Sequence, residues 1–170
     1  MNAKTPDDLL NTNNSKTTWK DPKRYLWLLS PAVPVIGIAA LSAYAVAPKR
    51  LRALAWVGPA LVHGVIPAID RLIGEDKSNP PVSAVQQLEN DKYYGRIVKA
   101  FIPAQYAVTF LGAWLASRKN TPMIDRVGLT FSVGAMNGIA INTAHELGHK
   151  HDKTDRLLAM LALAPTGYTH

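Results

Sequence analysis

Apolar positions fall in long unbroken blocks instead of the short, evenly spaced islands of an amphipathic soluble helix. "YLWLLSPAVPVIGIAALSAYAVAP", from Tyr25 to Pro48, carries no charge. "ALAWVGPALVHGVIPAIDRLI", from Ala53 to Ile73, is charged only near its end, at Asp70 and Arg71. Ala100 to Ser117 and Val127 to Ala144 form two further blocks. A bilayer core of about 30 Å takes roughly 20 apolar residues of helix, so each block predicts a transmembrane span. Prolines at 31, 34, 59, 67 and 103 are compatible with this where neighbours satisfy the freed carbonyls. The closing stretch, "RLLAMLALAPTGYTH", is too short to cross and predicts a helix along the membrane face or the start of a continuation. Residues 1–24 are polar and aperiodic and read as a loose cytosolic arm. The expected fold is an all-α membrane protein: a bundle of about four transmembrane helices plus an interfacial helix over residues 25–170, with the arm as a separate segment.

Charge adds an orientation. The chain of 170 residues has a formal net charge of +7, but no basic stripe interleaved with aromatics suggests nucleic acid. The lysines and arginines flank the apolar blocks instead. With the N-terminus in the cytosol, 13 of the 19 fall on the cytosolic side, which satisfies the positive-inside rule. The absence of cysteine excludes disulfides and thiolate metal sites within the chain.

Candidate chemistry sits at the cytosolic end of the fourth block, in "INTAHELGHKH". His145 and His149 are four apart, on one helix face, where two neutral imidazoles can bind one metal ion. Asn142, Gly138 and Gly134 continue that face into the bilayer. Gly134 and Gly138 allow two readings, close helix packing or room for an elongated apolar substrate. Asn137 and Asn142 require a partner on another helix or a polar pocket. Taken alone, "HELGH" is also the zincin pattern, with Glu146 as base, though a catalytic zinc site needs a third protein ligand. His151 reads as a solvated loop residue. His63 reads as a buried histidine satisfied by a hydrogen bond, ahead of a channel role. Asp70 reads as an interfacial charge paired with Arg71, ahead of a direct catalytic role.

Several stretches together resemble the integral-membrane alkane 1-monooxygenases, members of the membrane desaturase and hydroxylase superfamily. "NGIAINTAHELGHKHDKTDR" resembles the family's first histidine box. "KRYLWLLSPAVPVIGI", "IPAIDRLIGEDKSNPP", "LENDKYYGRIVKAFIPAQY" and "LALAPTGYTH" resemble, in order, its first span, its second span with the following loop, the run into its third span, and the approach to its second histidine box. The resemblance covers about residues 20–170. It implies a six-span bacterial inner-membrane enzyme with a non-haem di-iron centre. Such an enzyme hydroxylates the terminal carbon of medium- or long-chain n-alkanes with O2, and rubredoxin reductase and rubredoxin supply the electrons. On this reading His145 and His149 are iron ligands and Glu146, Asp70 and His170 are supporting residues. Family members are more than twice this length, so the chain is expected to be an N-terminal portion that ends before the second box and holds only part of the site. Val62 falls where the family carries a residue that sets channel depth, and a valine there predicts an open channel. A histidine-box fatty acid desaturase or hydroxylase and an intramembrane zinc protease are the alternative classes.

Overall fold

The computed structural model describes residues 19–74, 79–150 and 152–168, and every regular element among them is helical. A 3₁₀ turn, Arg24–Leu28, leads into α1, Leu29–Val46. The second rod, α2, runs Arg52–Ile73. After the short α3, Val82–Asn90, come the long helices α4, Lys92–Ser117, and α5, Met123–Gly148. The last helix, α6, covers Lys153–Leu163.

Three of these rods, Arg24–Val46, Arg52–Ile73 and Lys92–Ser117, are long and apolar enough to cross a membrane. Their outward faces stay apolar, with Val35, Ile36, Phe110 and Trp114 exposed, the arrangement lipid requires. The fourth predicted span lies in α5, which matches α4 at 26 residues. It is more polar than the other three because it supplies the bundle's internal hydrogen bonds. Ser132 accepts from the Gly58 amide at 3.0 Å and donates to the Ala55 carbonyl at 2.8 Å. Asn137 accepts from Gln105 Nε2 at 3.0 Å.

The rods alternate in direction. At one end Arg24, preceding α1, pairs with Asp91 at the start of α4 at 2.7 Å, and Lys150, just past α5, reaches Gly95 of α4. At the other end Asp125, 2% exposed, draws together the end of α1, the start of α2 and the start of α5. It accepts from Tyr44 at 3.0 Å and from Arg52 Nε at 3.0 Å. Pairing and hydrogen bonding are what make a carboxylate tolerable at such burial.

Two clusters fill the bundle. Leu41, Tyr44, Val108, Leu115, Leu129 and Met136 pack at the Asp125 end. Val98, Ile102, Ala144, Leu147, Ala159 and Ala162 pack at the histidine end.

The closing helix packs against the bundle. α6 runs back beside α4: Asp155 meets Lys99 at 2.6 Å, and Gln105, one to two turns further along α4, donates to the Ala162 carbonyl at 2.9 Å. Its buried positions, Asp155, Ala159 and Ala162, are spaced as one helix face, and the small alanines let it approach closely. The arm is also not loose where it is described. Trp19 exchanges two hydrogen bonds with the Gln87 side chain, at 3.1 and 2.9 Å. Tyr94 donates to Asp21 at 2.6 Å. The rest of the arm, residues 1–18, lies outside the described residues, as do His151 and His170.

Candidate metal centre and groove

α5 carries the candidate site because its two faces differ. One face, with Leu129, Met136, Ala140, Ala144 and Leu147, is buried in the bundle. The other presents Gly134, Gly138, Asn142, His145 and His149, and both histidines are exposed in the last turn and its cap. Their rings meet edge to face with centroids 4.5 Å apart, and their Nε2 atoms are 3.2 Å apart. Two imidazole nitrogens bound about 2.1 Å from one ion stand roughly 3 Å apart, so the pair has the spacing of two ligands to a shared metal. Among the described residues no third histidine, cysteine or carboxylate joins them. The donor set fits part of a metal site.

The same face continues as a groove of about 570 Å³. Its floor is Gly134 and Gly138, where an added Cβ would meet nothing within 4 Å. Among the described residues nothing packs against the two glycines. Asn142 lines the groove at the histidine end, whereas Asn137 is buried and bonded to Gln105.

α2 forms the opposite wall through Val62 and His63. They lie in a π-helical segment, Ala60–Val65, between Pro59 and Pro67. Pro67 lacks an amide proton and would crowd the carbonyl four residues earlier; a π turn relieves that conflict and narrows the angle between successive side chains. Before it, α2 packs tightly on α5 through Gly58. Beyond it, Ile66–Ile73 has no buried residue, so the helices part and the groove opens. His63 is exposed there and makes no hydrogen bond among the described residues, which corrects its reading as a buried, satisfied histidine. Sequence reasoning also missed Phe131 and Ile139 as lining. Their position beside the glycine stripe was the available signal.

The remaining candidates lie apart. Glu146 lines a different cavity, with Tyr94 and Lys150. Asp70 is exposed, and no ion pair joins it to Arg71 among the described residues; adjacent side chains on a helix do not face each other. Just outside the spans, Asp91 caps α4 by accepting from the Tyr93 amide at 2.8 Å. That bond first, and the Arg24 guanidinium second, hold its carboxyl below the usual range.

No protein-family profile matches the chain. Curated relatives do. The chain is 53% identical over 151 residues to the alkane 1-monooxygenase of Acinetobacter baylyi, covering 88% of this chain and 37% of that protein. It is 41% identical over 155 residues to alkane 1-monooxygenase 1 of Alcanivorax borkumensis, with the same coverage of 88% and 37%. The alkane 1-monooxygenase of Pseudomonas putida is 36% identical over 162 residues, 92% of this chain and 39% of that protein. The chain therefore spans less than two-fifths of the length of the relatives it matches. Over about nine-tenths of its own length, it belongs with the alkane 1-monooxygenases as a homologue of part of that family's chain.

Proposed function

We propose that this chain forms part of a membrane alkane 1-monooxygenase, which hydroxylates the terminal carbon of n-alkanes in a bacterial inner membrane. The observation that carries this reading is the continuity of one α5 face, from an open glycine-floored groove to a pair of imidazoles. His145 and His149 would hold iron, as two of the ligands of a di-iron centre. That centre supplies the O2 chemistry needed to oxidise a strong C–H bond, with electrons from rubredoxin and its reductase. The protein's own task is to bind and aim the substrate. An alkane offers no polar handle, so recognition rests on burial, about 0.8 kcal/mol per CH2. Val62, Phe131 and Ile139 line the groove, and the two glycines leave room for the chain. Asn142, three residues before His145, places an amide where the chain end would meet the histidines. With the histidine end on the cytosolic side, a soluble electron donor reaches the metal while substrate enters from lipid.

The full-length protein, purified with its redox partners, tests this. Wild type should bind iron and convert octane or hexadecane to the 1-alkanol. His145→Ala and His149→Ala should each lower bound iron and abolish turnover. Zinc in the site with hydrocarbons untouched would overturn the reading, and turnover of acyl lipids in place of alkanes would move it to the desaturase class. Val62→Trp should fill the groove beside His63. Hexadecane turnover should then fall while octane turnover persists, as read from product profiles.

A further inference from the structure

A second cavity, of about 370 Å³, opens at the histidine end and shares no lining residue with the groove. It lies where the start of α1, the start of α4 and the end of α5 converge, the level at which a bilayer's headgroups sit. Its walls are aromatic and fixed in place. Trp27 and Tyr94 meet edge to face at 5.3 Å. Tyr94 is held by its hydrogen bond to Asp21, and the Trp19 backbone by two bonds to the Gln87 side chain.

The charges on the lining point to the class of ligand. Asp21, Glu89 and Glu146 line it together with Lys23 and Lys150, three carboxylates and two ammonium groups. Glu146 and Lys150 are one turn apart on α5, yet no ion pair joins them among the described residues. A purely anionic headgroup would meet an excess of like charge. A primary ammonium has three donors for the carboxylates and gains from the faces of tryptophan and tyrosine. Lys150, whose Nζ lies over Gly95, offers a counter-charge for a phosphate. Leu88, Pro80 and Val98 add apolar surface for the glycerol and upper acyl chain.

We propose that this cavity seats the headgroup of a phosphatidylethanolamine molecule, its ammonium toward the carboxylates and aromatic faces and its phosphate toward Lys150. The site shares no lining residue with the groove and does not rest on the alkane reading. A fixed wall binds with little ordering cost, so the lipid should remain bound when the surrounding annulus is stripped.

The test is native mass spectrometry of the intact full-length protein, released from nanodiscs of equal phosphatidylethanolamine and phosphatidylglycerol. Wild type should retain one phosphatidylethanolamine, at least tenfold in preference to phosphatidylglycerol. Glu89→Lys, which reverses one lining charge, should lose that preference. Trp27→Leu, which keeps apolar volume but removes the ring face, should weaken it. Each variant is scored only on protein whose helical circular dichroism and melting match wild type, and Glu89→Gln serves as the milder substitution should Glu89→Lys not fold. Equal retention of both lipids, retention of neither, or undiminished selectivity in folded Glu89 variants would overturn the assignment.

Discussion

Gly58 and Gly134 lie on facing helices and have opposite surroundings. A Cβ on Gly58 would strike the backbone of Ser132, whereas one on Gly134 or Gly138 would meet open space. Gly58→Ala should therefore destabilise the protein by about 1–3 kcal/mol through overpacking. Gly134→Ala and Gly138→Ala should stabilise it by about 0.5–1 kcal/mol, because alanine loses less backbone entropy in a helix. Thermal unfolding in detergent distinguishes these signs, and equal destabilisation at all three positions would contradict the open groove. The sequence could not supply the distinction. A glycine records a missing side chain and says nothing of what stands opposite. His63 was misread for a similar reason: its mid-block position indicated burial, while its actual environment depends on where α2 leaves α5.

At the scale of elements, the apolar blocks gave the rods and approximate limits of the bundle because lipid imposes length and composition directly on each helix. The departures came from pairwise packing, which no single block encodes. α6 has the length of an interfacial helix, but Gln105 on another helix holds its Ala162 carbonyl inside the bundle. The π segment of α2 was legible only as a proline pair, Pro59 and Pro67. The junction between arm and α4 yields a pH prediction. Asp91 caps α4 and pairs with Arg24, and its carboxyl is held below the ordinary value. A carboxyl depressed on folding contributes stability that is present above its ordinary value and is lost as pH falls through the depressed one. Wild type should thus melt above Asp91→Asn near neutrality, and the difference should vanish as pH drops below the usual carboxylate range. A gap that persists in acid would show that the pair is not the source.

For the molecule as a whole, the ion-paired ends define two surfaces. Lys49 and Lys119 lie with Asp125, and Lys153 lies with the histidines. Because the chain has no cysteine, single Lys49→Cys, Lys119→Cys and Lys153→Cys variants of the full-length protein give unambiguous labels. An impermeant maleimide applied to intact spheroplasts should modify the first two and spare the third; the reverse pattern would invert the topology. The distribution of basic residues is what predicts this orientation. Helical spacing placed His145 and His149 together, whereas Val62 on the facing wall was reached only through the family resemblance.

The glycine floor has one more consequence. Where other helices wrap their main chain in side chains, the middle turns of α5 leave theirs bare along the trough. A hydrocarbon lying there would substitute for the missing side chains and keep water from competing for the amide–carbonyl bonds beneath it. On the proposed function, cargo and the helix that carries the imidazoles would then stiffen together, and the histidines would be aimed most firmly when there is something to aim at.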